Sequence, residues 1–236
     1  MSDTLKPLIG TAANRPLTRA EAARARGYQY IAITDHSQRV TVANGLNAER
    51  LLAQWEAIDR LAKKWRGFHI LKGVEVDILE AGGLDLPDEV LKEADWVVAS
   101  VHFGQNQPRD QITRRMIDAL KNPYVCAIAH PTGRLLVERP PYEVDIDAVL
   151  RAARDYGKMM ELNAHPRRLD LDDVACAVAK AYGVPIAIST DAHSVSGLDA
   201  MRYGVMQARR GGLTRADVVN TRPWRELKKL LPKYRK

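Results

Sequence analysis

Only two cysteines and two phenylalanines occur in the 236 residues. Cys126 lies in an apolar strand-like run and Cys176 in a helical pattern. Their spacing is not C-x-x-C, so neither a disulfide framework nor a cysteine-type zinc knot is indicated. No apolar stretch is long enough to cross a bilayer, and the first ten residues lack the basic start and long apolar run of a signal peptide. A soluble, cytoplasmic protein without membrane contact is therefore expected. No G-x-G-x-x-G or Walker loop follows any strand-like run, which argues against dinucleotide or ATP binding. Linkers, low-complexity runs and fixed-period repeats are also missing, so one α/β domain is expected over residues 17–236, behind an atypical N-terminal segment of residues 1–16. In that segment only residues 5–9 offer a short strand, interrupted by Pro7.

Charge of one sign is in modest surplus. The formal net charge of +7 favours anionic partners such as nucleic acid or phosphorylated small molecules. Much of the excess sits in residues 225–236, which read as a solvated helix and frayed tail.

The most informative stretch is Ile186-Ala187-Ile188-Ser189-Thr190-Asp191-Ala192-His193. It reads as a buried strand that stops and at once delivers a carboxylate and an imidazole. The same design occurs in the runs ending at Asp35-His36, Glu75, His102 and His130. Helical patterns separate these runs. A capping box at Thr18 and Glu21 opens a helix over 19–26, and Asn47 caps one over 49–65. Further helices are expected over 109–120, 146–156 and 172–182, near 197–209, and over 215–220 with a second capping box at Thr214 and Asp217. Six strands alternate with helices, and residues 5–9 are a candidate seventh. Alternation with polar groups at the carboxyl ends points to a TIM-like barrel rather than an open doubly wound sheet.

Five of the six histidines, His36, His102, His130, His165 and His193, fall at or just after strand ends. His69 precedes its strand and reads as structural. Buried ionisable groups are costly unless paired or metal-bound, so the convergence with Glu75 and Asp191 predicts a metal centre. Its ligands are expected to be His36, Glu75, His102, His130, Asp191 and His193. Imidazole with carboxylate suits Zn, Mn or Fe, and a bridging carboxylate such as Glu75 allows two ions. Such a pair is apparatus for phosphate ester hydrolysis. Arg134 is the candidate for stabilising charge on the phosphoryl oxygens, and Arg134, His165 and Arg168 are the candidate substrate contacts.

The motifs Ile-Thr-Asp-His-Ser37, Lys-Gly-Val-Glu75, Ala-Ser-Val-His102, Ala-His-Pro-Thr-Gly-Arg134, Glu-Leu-Asn-Ala-His-Pro166 and Asp-Ala-His-Ser194 resemble those of the PHP (polymerase and histidinol phosphatase) superfamily. Residues 43–46, 168–171, 194–198 and 202–205 look like the PHP domain that ends bacterial family X DNA polymerases. The resemblance implies a distorted (β/α)7 barrel with up to three Mn or Zn ions, in a family of 3′-5′ exonucleases, phosphodiesterases and phosphatases. By resemblance, Glu75, His102 and His130 form one nearly complete site and His36 and His193 a depleted second. The family's opening His-x-His strand falls on residues 3–13, which contain no histidine. The first strand is thus atypical or absent, and the altered opening is expected to admit bulkier esters, phosphotriesters included. Two other readings follow from the same residues: a non-catalytic remnant that binds DNA or a protein partner, and an amidohydrolase-like activity by fold analogy. The oligomeric state is left open.

Overall fold

The computed structural model describes residues 15–235. The candidate strand over 5–9 and the segment without histidine over 3–13 lie outside them. Six strands are described: β1 (Tyr30–His36), β2 (His69–Asp77), β3 (Trp96–Ser100), β4 (Ala127–Ile128), β5 (Met159–Asn163) and β6 (Ile186–Ser189). All pair in parallel and in sequence order, β1 to β6. A sheet wound in one direction with a helix after each strand curls toward a barrel, so the barrel expectation holds.

The period-2 alternation of the strands separates two cores. One face carries Ile31, Ile33, Val74, Val76, Val97, Ala99, Leu162 and Ile188, and packs against the surrounding helices. The other carries Tyr30, Ala32, Leu71, Trp96, Val98, Met159 and Ala187, and lines the inside of the curl. The long helix Ala48–Ala62 starts where Asn47 Oδ1 accepts from the Arg50 amide at 2.9 Å, and it buries Leu51, Trp55 and Ile58. Trp55 Nε1 donates to the Gly73 carbonyl at 3.1 Å. Gly73 must be glycine, because a Cβ there would lie 2.6 Å from Thr34 Cγ2 and 2.7 Å from the Ile33 carbonyl oxygen.

Three local expectations are corrected. Thr18 does not cap the first helix, which runs Arg15–Ala25, so the box lies inside it. The capping box at Thr214 forms in part: Asp217 accepts from the Thr214 amide at 2.7 Å. No α-helix forms over 215–220, because the Asp217 carbonyl is taken by the Ile186 amide at 2.9 Å and Val218 bridges Ile186 in parallel. Asn220 extends this pairing with its side chain, accepting from the Ile188 amide at 3.0 Å and donating to the Ile188 carbonyl at 2.8 Å. Sheet pairing therefore outcompetes the helix signal here.

The third correction concerns the basic C-terminal stretch. Leu227 and Leu231 are buried against the inner face, and Trp224, Leu230 and Tyr234 pack around them. Trp224 stacks on His69 with centroids 4.8 Å apart, and Tyr30 Oη donates to the Arg222 carbonyl at 2.9 Å. Asp95 anchors the end of the plug through Tyr234 Oη at 2.7 Å and Lys233 Nζ at 3.1 Å. The stretch closes the barrel's amino-end floor; its leucines were hidden among lysines and arginines.

Candidate metal centre

The inner face changes character toward the carboxyl ends. Above Ala32, Leu71, Val98, Met159 and Ala187 the same alternation presents Thr34 and His36, Glu75 and Asp77, Ser100 and His102, Glu161 and Asn163, and Ser189 and Asp191. Parallel register sets His36 directly beside Glu75 and Asp77 beside Ser100. His130 follows β4 at φ 30° and Asp191 follows β6 at φ 49°. Left-handed backbone at two non-glycine positions is uncommon and clusters at functional sites.

Glu75 is the hub. Its carboxylate, 1% exposed as a side chain, lies 2.8 Å from His130 Nε2, 3.4 Å from His36 Nδ1 and 3.5 Å from His102 Nε2. The rings of His36 and His102 meet edge to face at 4.9 Å, and those of His102 and His130 at 5.5 Å. Donor atoms of His36, Glu75 and His102 all fall within 4.8 Å of one another. Asp77 Oδ1 lies 3.2 Å from His102 Nδ1 and also accepts from the His102 amide at 3.1 Å. With a carboxylate accepting at Nδ1, the neutral imidazole carries its proton there and turns the lone pair of Nε2 toward the Glu75 carboxylate. Two acceptors converging in this way suit a cation between them, with Asp77 orienting the imidazole, as carboxylates do behind metal-binding histidines. The donor set therefore fits a divalent ion that takes nitrogen and oxygen ligands.

A second group lies on the β5 and β6 side. Asp191 Oδ2 accepts from Asn163 Nδ2 at 3.0 Å and faces Arg168 Nε at 3.3 Å. His193 Nδ1 donates to the Asp191 carbonyl at 2.7 Å, which in the neutral imidazole leaves the lone pair on Nε2. Asp191, Arg168, His193 and Arg167 all act on His165, whose pKa is lowered first by burial, while the Asp191 charge opposes the fall. Arg134 is spent on the loop: Nε donates to the Arg168 carbonyl at 2.8 Å, Nη2 to the Leu169 carbonyl, and Nη1 lies 3.7 Å from Asp172. It thus braces the segment that carries Arg168.

Two carboxylates here escaped the sequence reading. Asp77 is described above. Glu161, inward-facing on β5 and 2% exposed, accepts from the His130 amide and the Ser189 hydroxyl and ties the two groups together. The available signal was the alternation itself, since Glu161 and Asn163 share the parity of Met159. Nearby, Asp170 accepts from the Thr132 and Gly133 amides at 3.0 and 3.1 Å. Burial pushes its carboxyl up to about 6, against the lowering influence of Thr132 and Arg134.

Comparison with known proteins places this geometry. The sequence model of the PHP domain matches residues 8–165. The chain is 49% identical over 212 residues to the DNA polymerase/3′-5′ exonuclease PolX of Bacillus subtilis (strain 168), which covers 90% of this chain. It spans 37% of that relative's length. It is 36% identical over 212 residues to a "probable phosphatase" of Thermoanaerobacter sp. (strain X514), covering 86% of this chain and 82% of the relative. Among solved structures, histidinol phosphate phosphatase from Lactococcus lactis, complexed with zinc, L-histidinol and phosphate, matches with a TM-score of 0.63 at 15% identity. The match covers 91% of this chain and 95% of that one, which supports the fold.

Proposed function

The chain belongs to the PHP domain family, and from that premise we propose that it is a metal-dependent phosphoester hydrolase of the phosphatase or phosphodiesterase type. The observation that carries this reading is the convergence of three imidazoles on the buried Glu75 carboxylate. Glu75, His36, His102 and His130 would hold one divalent ion, Zn or Mn, with Asp191 and His193 supplying ligands toward a second. When bound, such an ion supplies Lewis acidity toward phosphoryl oxygens and makes water nucleophilic near neutral pH.

The chain's own residues do the rest. Asp77 fixes the His102 tautomer, and Glu161 fixes the His130 backbone. Arg168, half-buried beside Asp191, offers a planar guanidinium to phosphate oxygens. Arg134 acts through Arg168 as a positioning residue, and His165 closes the same edge. The similarity to PolX over nearly the whole chain, with the net charge of +7, favours one further possibility for the ester: the 3′ end of a DNA strand.

The test is hydrolysis of chromogenic phosphate mono-, di- and triesters by protein loaded in turn with Mn, Zn and Co, with His102→Ala beside it. Turnover that follows the metal, disappears with chelator and is lost in the variant is expected. Activity that resists chelation or survives the substitution would overturn the mechanism. Salt-sensitive DNA binding without turnover would leave a non-catalytic domain instead.

A further inference from the structure

Among the described residues nine large hydrophobic side chains are exposed, and five of them, Val42, Phe103, Leu136, Val137 and Val195, lie on segments that follow strands at the mouth. Phe103 stands apart because it is held. It follows His102 directly and remains 36% exposed. The Arg39 guanidinium covers its ring, 5.0 Å from the centroid. Arg39 is itself fixed, with Nη2 donating to Glu80 at 2.6 Å, its amide donating to Asp85 at 2.8 Å, and Nε 3.4 Å from Asp77 Oδ2. The other oxygen of that carboxylate orients His102. Buried Arg115 donates to the Phe103 carbonyl at 3.1 Å. Gly104 has φ +66°, and a Cβ there would lie 2.5 Å from Glu80 Cγ. Ring, guanidinium, Asp77 and His102 imidazole form one connected and tightly backed chain.

We propose that Phe103, backed by Arg39, is a stacking platform that gives the site its preference for phosphate esters carrying a flat aromatic group. The proposal rests on the phosphoester reading and deepens it. A ring already covered on one face and immobilised from beneath loses little freedom when a second ring settles on the other face. Stacking of this kind tolerates any flat ring, so it sorts substrates by planarity and not by hydrogen-bond pattern. The adjacent imidazole places the ester phosphorus and its ring on neighbouring residues of one segment.

The experiment compares phenyl phosphate with cyclohexyl phosphate, which differ little in size and chiefly in flatness. Metal-loaded protein and its Phe103→Leu and Phe103→Trp variants are titrated by calorimetry, and the same compounds compete against a chromogenic ester. Wild type should bind phenyl phosphate about five- to tenfold more tightly than cyclohexyl phosphate. Phe103→Leu should abolish the preference without weakening binding of inorganic phosphate, and Phe103→Trp should keep or enlarge it. Equal affinities in wild type, or a preference that survives in Phe103→Leu, would overturn the platform. Calorimetry reads binding without turnover, so a Phe103-dependent preference in a chain that hydrolyses nothing would sink the hydrolase reading alone. Turnover without the preference would sink the platform alone.

Discussion

The floor and the mouth of the barrel are built from the same strands, on the same inner face, a few residues apart. At the floor Tyr30, Leu71, Trp96 and Met159 meet Leu227 and Leu231 in an apolar core. At the mouth His36, Glu75, Asp77, Glu161 and Asp191 crowd carboxylates and imidazoles into positions that are almost as buried. Apolar burial of the first kind stabilises a fold, and burial of ionisable groups opposes it unless they are paired. One end of each strand therefore supports the other, and damage at the two ends should show in different measurements.

The sharpest way to break that division is Glu75→Gln. It keeps volume and removes the carboxylate on which three imidazoles converge, so kcat/KM should fall by about a thousandfold or more, with little or no loss in Tm. A matching loss of Tm would mean that the mouth, too, holds the fold together. Leu231→Ala probes the other end. Cavity formation at the floor should reduce unfolding free energy by about 2–5 kcal/mol in urea titration, while activity per folded molecule stays near wild type.

Asp170 tests whether charge near the mouth opposes folding. Its folded-state value of about 6 lies above the ordinary 3.8, so its ionised form is disfavoured in the native state. Its favourable contribution is complete below about pH 4 and is lost as pH rises through about 6. Between pH 4 and 7 this group alone should lower stability by at most about 3 kcal/mol, and Asp170→Asn should flatten that part of the profile relative to wild type. A profile unchanged by the substitution would show that Asp170 is not the group responsible. The smallest effect belongs to Asp77→Asn. It leaves every candidate ligand in place and alters what orients His102 and faces Arg39, so metal affinity measured by competition with a chelating dye should weaken about 10- to 100-fold.

The two ends also differed in how far the sequence disclosed them. The mouth was legible because five of the six strand runs lead straight into His, Glu or Asp, a local signal that needs no knowledge of neighbours. Its supporting groups were less so: Glu161 looks like one more strand residue until the parity of Met159 is followed. The engagement of Arg134 with the Arg168 and Leu169 carbonyls was also hidden, because it is set by how two loops meet. The floor was obscured, since Trp224, Leu227 and Leu231 are spaced among basic residues and gain their meaning only from the inner face they cover. The helix expected over 215–220 failed for a related reason: the edge of β6 needed a partner, and Asp217, Val218 and Asn220 supplied it.

The strictly consecutive strand order bears on the time course of folding. Each strand closes a loop only onto its predecessor, so chain-entropy barriers stay modest and pairing can advance stepwise along the chain. His36, Glu75, His102 and His130 come from four successive strands and gather on one carboxylate before β5 and β6 need to dock. The order of assembly would then complete this candidate ion-binding cluster first and add Asp191, His193 and Arg168 afterwards. Amide protection in pulse-labelled refolding would accordingly spread from Val74 and Val98 toward Leu162 and Ile188.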